Sequence, residues 1–480
     1  MDTIDSNTVA IALAIVFMLS SVAVMFAALR PTFTLYALAA VVSLVGINIH
    51  LGVTLYLSRI VIIFFLVSIL VRAALDKQTR LPYKFLSPFI MLFGLILLFQ
   101  LISVLFSGRI SDGLVQLFIN LSVMAVFITV ICVGNRVEVI TKAVTIYLVT
   151  GLVQGLYGIY QVIGAQFNWP TYQTLMAGIP TANDRTLGGY QYFGAYESFR
   201  AVGFFSADVS HYAGYMAGVL ILAIALLTFN RRSWFLIAVI VAGAMGLLFS
   251  LSRSGILAFV VVGIPSLLFL LWRVHRSAQR SNSRRVQLFL RLTVLGGATV
   301  FLLVLISPEI ELTKTFETIS IRMADLANTG DDQLESMQTH ILTRLLAVDA
   351  FASSPLIGVG MGVTAAPWYS ESYHTFWFGA HSHHLDMLGQ TGLIGAGLQW
   401  LFMGLVARYM WHGLFVGRDN SLERHLLAGL LAAFVTIVLG NLLYYYYLND
   451  FVWFLMGCGV TLSRLLILEA HKRVASPVVV

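Results

Sequence analysis

Residues 209–272 read VSHYAGYMAGVLILAIALLTFNRRSWFLIAVIVAGAMGLLFSLSRSGILAFVVVGIPSLLFLLW. Three apolar runs are separated by two short polar breaks, one around Arg231 and Arg232 and one around Arg253. Apolar runs of about 20 residues match the hydrocarbon thickness of a bilayer. Tight breaks between them leave no room for a soluble subdomain. The stretch predicts three membrane-crossing helices, with the two breaks on opposite faces.

The pattern recurs outward in both directions. Apolar stretches are read at 8–28, 32–49, 55–75, 85–106, 114–133, 139–163, 209–228, 234–250, 255–272, 292–306, 385–408, 426–447 and 451–468. The expected fold is an all-α polytopic membrane protein with about 12–14 spans. Composition agrees: 59% of residues are hydrophobic and 11% charged, against about 25% charged in soluble domains. The expected organisation is N-terminal spans over 1–163, a first outer loop over 164–207, central spans over 208–306, a large outer loop over 307–384 and C-terminal spans over 385–480. No internal repeat or low-complexity segment is visible.

Charge sets the orientation, because cytoplasmic loops collect Lys and Arg. With the N-terminus outside, only Arg59, Arg109, Arg185, Arg200, Arg253, Lys314, Arg322 and Arg344 of the 29 basic residues fall outside. Most of the 22 acidic residues go the other way. One misplaced span would invert every later loop and spoil this asymmetry. The C-terminus is then inside, and the net charge of +7 is a topogenic signal that implies no nucleic-acid partner. Asp2 and Asp5 stand where a cleavable signal would be basic, so none is expected. Cys132 and Cys458 sit in separate apolar runs away from other Cys and His, which disfavours a disulfide or a metal site.

The candidate residues lie on the outside. Arg253 sits in the SLSRSG break, where topology needs no cation. An Arg near lipid depth costs about 2.5–3.5 kcal/mol on insertion scales, so it usually has a partner or a function. It could bind an anion, or it could snorkel and cap the carbonyls of the preceding helix. Arg200 lies in ESFRAVGFFSADVSHYAGYM, where Asp208 suits the N-cap of the next span and His211 lies one turn inside. Arg59 opens another span. Guanidinium groups grip phosphate oxygens bidentately. Three arginines at three span ends on one side therefore suit a lipid-linked phosphate or diphosphate.

The segment AHSHHLDMLGQTGLIGAG, from Ala380, places His381, His383 and His384 at the membrane edge. Histidine is readily poised as a general base near neutral pH. Zinc on His381 and His384 is the rival reading, with surface histidines of no special role as the bland one. Gly389, Gly392, Gly395 and Gly397 allow close helix approach. Upstream, Leu334, Met337, Ile341, Leu345 and Val348 recur at helical spacing, which predicts an amphipathic helix lying along the outer membrane surface.

Together these segments resemble the bacterial O-antigen ligase and polymerase superfamily. In that family, "Arg…Pro-Leu-x-Gly-x-Gly" precedes "His-Asn-x-x-Leu…Glu-x-Gly-x-x-Gly". Here RLLAVDAFASSPLIGVGMG starts at Arg344 and HSHHLDMLGQTGLIG at His381. Ser382 replaces the usual Asn, and Gln390-Thr391 stands near the usual acidic position. SRSG at 252–255 resembles the family's Ser-Arg pair between two spans, and RAVGFF at 200–205 its Arg-x-x-Gly-x-Phe. The resemblance covers about residues 195–400. It implies a bacterial inner-membrane protein with a periplasmic N-terminus and a cytoplasmic C-terminus. It also implies inverting, metal-independent glycan transfer from undecaprenyl diphosphate to an acceptor hydroxyl at the periplasmic face. By resemblance, Arg200 and Arg253 would hold the diphosphate, and His381 or His384 would deprotonate the acceptor. The arginine cluster read above adds Arg59 to the diphosphate site, with Arg344, His383 and His211 as candidate supporting residues. The partners implied are the lipid-linked donor, an acceptor glycan on lipid or on lipid A core, membrane lipids, and a flippase or chain-length regulator. No cofactor is implied. The length and span count favour a polymerase. A ligase uses the same chemistry. A lipid-linked sugar transporter fits less well, because no repeat symmetry is seen.

Overall fold

A computed structural model describes residues 30–44, 48–50, 54–56, 59–63, 82–107, 110–167, 169–170, 191–193, 198–205, 209–230, 232–277, 343–361, 380–416, 421–442 and 449–475. The expected spans at 8–28 and 292–306 lie outside these residues. The helices are α1 Pro31–Val41, α2 Tyr83–Leu105, α3 Ile110–Val133, α4 Val137–Gln166, α5 Val209–Phe229 and α6 Trp234–Phe249. They continue with α7 Arg253–Leu257, a π-helical segment Ala258–Gly263, α8 Ile264–Ser277, α9 over 343–353, α10 His383–Val416, α11 Leu422–Gly440 and α12 Asp450–Ala475. Two short antiparallel hairpins accompany them, β1 Asn48–His50 with β2 Thr54–Tyr56, and β3 Gln191–Phe193 with β4 Ser198–Arg200. Among the described residues, eight helices are long and apolar enough to cross a membrane. The protein is an all-α polytopic membrane protein.

The interior is held by apolar contact. Phe89 and Phe93 of α2, Phe127 of α3, Phe402 of α10 and Trp453 of α12 form one aromatic cluster. Phe93 lies 4.8 Å from Phe402, and Phe402 stacks on Trp453 at 5.3 Å. The outer face of α2 is equally apolar but open: Met91, Leu98 and Leu105 are all more than half exposed. Their helical spacing makes an exposed apolar stripe, the kind of surface that suits lipid. α5 is the central helix, and most of its residues are buried. It packs on α6 and α11.

Small residues set the level of the central helices. A Cβ on Gly429 of α11 would meet Ala225 of α5 at 2.7 Å. One on Gly263 would meet Ile221 of α5 at 2.8 Å and Thr436 of α11 at 3.0 Å, and one on Gly255 would run into Ala213 of α5. Stepping from Ala225 back to Ala213 along α5 thus runs up α11 towards Asn441, and from Gly263 to Gly255. The start of α5, the 250–255 turn and Asn441 share one end of the bundle, termed the Arg253 end.

Two expected spans begin or end elsewhere. The 32–49 span stops at Val41 and gives way to a strand at Asn48. Just past that helix end, Gln154 of α4 donates to the Ser43 carbonyl at 2.6 Å. The 55–75 span starts only at Arg59, after β2.

The largest departure is in α10, read from sequence as a span over 385–408. A continuous helix would hold residues 16 apart about 24 Å from each other. Yet the Trp400 indole donates to His384 Nδ1 at 3.0 Å, and the Gln399 amide lies 3.1 Å from His383 Nε2. The chain reverses at Gly392, whose φ of 61° and ψ of −167° are not helical. α10 is therefore a hairpin with a short limb, 383–391, and a long limb, 393–416, that crosses the membrane.

Candidate active site

The RAVGFF turn is built by α4. Gln161 accepts from the Val202 and Gly203 amides at 3.1 and 2.8 Å, and Gln154 accepts from Phe204 at 2.8 Å. The two glutamines are seven apart and so share one helix face. Gly203 has φ +56° and lies against the Tyr212 ring, where a Cβ would not fit. Phe205 is buried beside Tyr215 and Phe451. The glycine and the second phenylalanine of this motif thus have structural reasons.

Arg200 ends β4. Its Nε donates to the Ser250 carbonyl at 2.9 Å and one Nη to the Leu251 carbonyl at 3.4 Å. Ala201 N–H reaches the Phe249 carbonyl at 2.9 Å. Arg200 thereby caps the end of α6, the task that Arg253 could have performed. Leu251 takes a left-handed φ of 52°, and the chain turns into α7. Ser252 N-caps that helix by accepting from Gly255 N–H at 3.4 Å, and its hydroxyl bonds Ser210 at 3.3 Å. The structure therefore brings Arg200, Ser210, His211 and half-buried Arg253 to one turn. Asp208, the expected N-cap, lies outside the described residues. α6 has 16 residues, about 24 Å, against a hydrocarbon core of about 30 Å.

The second half of the site is the entry to the α10 hairpin. His383 N–H donates to the Asn441 carbonyl at 2.9 Å, which ties it to the end of α11. The register of α11 with α5 then puts the histidine turn and the arginine turn at the same end. The three histidines differ sharply. The indole of Trp400 can only donate, so His384 Nδ1 is its acceptor and Nε2 donates to the Val438 carbonyl at 2.9 Å. His384 is thus held as a tie between the hairpin and α11. His383 is 1% exposed and meets Gln399. His381 is half-buried just before the limb, with a left-handed φ of 48°. Leu251 and His381 are the non-glycine residues with positive φ among those described, and they flank the two halves of the site. Such strain concentrates at functional sites. Both ring nitrogens of His384 are engaged, so the spacing that favoured zinc on His381 and His384 loses one ligand.

Arg59 opens the helical segment 59–63 and is half-buried. Arg344 stands on α9, a turn before Ala347 and Ala350 cross Gly389. The close approach expected at Gly389 therefore occurs, whereas Gly397 has open space beside it. Of the expected amphipathic stripe, Leu345 and Val348 lie in α9 and are exposed, while Leu346, Ala347 and Ala350 pack inward. Leu334, Met337 and Ile341 are outside the described residues.

The PLIGVG loop clamps the hairpin tip through its backbone. Val359 and Gly360 N–H donate to the Gly389 and Gln390 carbonyls at 2.9 and 3.1 Å, and Leu393 N–H reaches the Pro355 carbonyl at 2.8 Å. Sequence reading passed over Asp386. It is 1% exposed and accepts from Ala380 N–H at 2.8 Å. A lone acid in an apolar run was the available signal.

Residues 238–398, about a third of the chain, match a family model described as O-antigen ligase. No curated protein matches. The matched segment holds Arg253, Arg344, the three histidines and Asp386, and leaves out Arg59, Arg200 and His211. Over that segment the chain is similar to the O-antigen ligase family.

Proposed function

We propose that this protein transfers a glycan from a polyprenyl-diphosphate-linked donor to an acceptor hydroxyl at the periplasmic face of the bacterial inner membrane. The observation that carries this reading is that the arginine turn and the histidine turn lie at the same end of the central helices. The family match supports ligase- or polymerase-type glycan transfer, and the geometry supports a division of labour. His381 takes the proton of the acceptor hydroxyl. The oxygen attacks the sugar's anomeric carbon from the face opposite the diphosphate, the carbon–diphosphate bond breaks, and configuration inverts. Charge growing on the leaving diphosphate is met by Arg253, whose turn Arg200 braces. Fixed cations in a site shielded from water are worth most when charge develops in the transition state. Arg59 and His211 are proposed as supporting residues, and the donor lipid as undecaprenyl diphosphate.

The reading favoured by length and span number is a surface-polysaccharide polymerase. The description of the matched family favours the second reading, transfer of a finished chain to lipid A core or another acceptor. Deleting the gene separates them. A lost polymerase leaves lipid-linked single repeat units, whereas a lost ligase leaves lipid-linked long chains. Unchanged lipid-linked pools and unchanged surface glycan would overturn both.

A further inference from the structure

We propose that Asp386 is the positioning residue that presents His381, an assignment that rests on reading His381 as the base. Two hydrogen bonds from this one residue reach across the histidine turn. Oδ1 accepts from the Ala380 N–H at 2.8 Å, on one side of His381, and Asp386 N–H donates to the Ser382 carbonyl at 2.9 Å, on the other. Between them His381 holds a left-handed φ of 48°, a conformation that non-glycine residues keep only when their surroundings enforce it. The foundation is rigid. Ala380, Ser382 and Asp386 are each 1% exposed, and the Asn441 carbonyl takes the next amide, that of His383. The other carboxylate oxygen, Oδ2, is buried without a hydrogen-bond partner among the described residues. It takes no part in holding the turn, so an amide there leaves the bond to Ala380 intact.

Asn at 386 should therefore preserve the turn, and Ala should release it. The first readout is independent of catalysis: carbethoxylation of His381 by diethyl pyrocarbonate in the full-length protein in detergent, followed by mass spectrometry. Asp386→Ala should change the rate at His381 several-fold, and Asp386→Asn should not. The second readout is glycan formed in cells whose only copy carries the variant. Misplacement of a reacting group by about 1 Å can cost about 10²-fold, so Asp386→Ala should lose on that order at equal protein level, with Asn rescuing. Adding Asp386→Ala to His381→Ala should then cost nothing more, because both act through one group. Should the Ala variant not accumulate, Asp386→Ser, too short to reach Ala380, carries the same expectations. An unchanged modification rate at His381, or losses that multiply in the double variant, would overturn the assignment. If His381→Ala keeps full activity while the modification rate still follows residue 386, the positioning stands and the base reading falls.

Discussion

Arginine and lysine at position 253 would differ in shape rather than in charge. Arg200 already occupies the carbonyls of Ser250 and Leu251, so capping α6 does not explain a second cation at the same turn. A diphosphate ligand uses the planar fork of the guanidinium, which lysine lacks. Arg253→Lys should therefore cut turnover by about 10²-fold, the usual scale for losing one transition-state donor, with protein level unchanged. Near-normal turnover in purified protein with lipid-linked donor would leave Arg253 a snorkelling residue. The arginine was legible because a cation between two apolar runs is conspicuous in any hydropathy reading. The choice among the histidines was not. It depends on Trp400 and Val438 engaging His384 and on Gln399 meeting His383, contacts made only once the chain has folded back on itself.

Hydropathy cannot tell a straight helix from one that reverses at a glycine, since both are equally apolar. That is why most of the short limb falls inside an expected span, while the spans at α2, α3, α4, α5 and α6 are read nearly end to end. The same limit hid the strands that come after α1, where Gln154 holds the Ser43 carbonyl. The glycines that follow the histidines were visible in sequence as sites of close approach, but their partners were not. Gly392 sits where the loop crosses the tip, in a φ/ψ region open to little but glycine, and a Cβ there would run into the Leu356 backbone. The conformation alone costs about 1–3 kcal/mol for another residue. Gly392→Ala should accordingly lower the melting temperature of the detergent-purified protein and reduce activity in step with the folded fraction. Gly397→Ala, placed in open space, should change neither. Equal stability for the two variants would mean that the hairpin tip is not clamped as described.

Orientation belongs to the whole chain, because every crossing must agree with every other. α8 ends at Ser277 at the end of the bundle opposite Arg253. The exposed tryptophans Trp234, Trp272 and Trp411 gather at that same end, as aromatic side chains do at a membrane interface. α9 is on the other side, because it packs on Gly389 beyond the level of Asn441. The chain is thus at one end of the bundle at residue 277 and at the Arg253 end by 343. The apolar run 292–306 is the sequence's candidate for that crossing. Arg273, Arg276, Arg280, Arg284, Arg285 and Arg291 lie before it, a density of cations that belongs in the cytoplasm. A reporter active only outside the cytoplasm should therefore work when fused after residue 330 and fail when fused after residue 282. The reverse pattern would turn the Arg253 end to the cytoplasm and separate it from any donor presented in the periplasm. Equal activity at both positions would remove the crossing and leave α9 without a route to the hairpin it packs against.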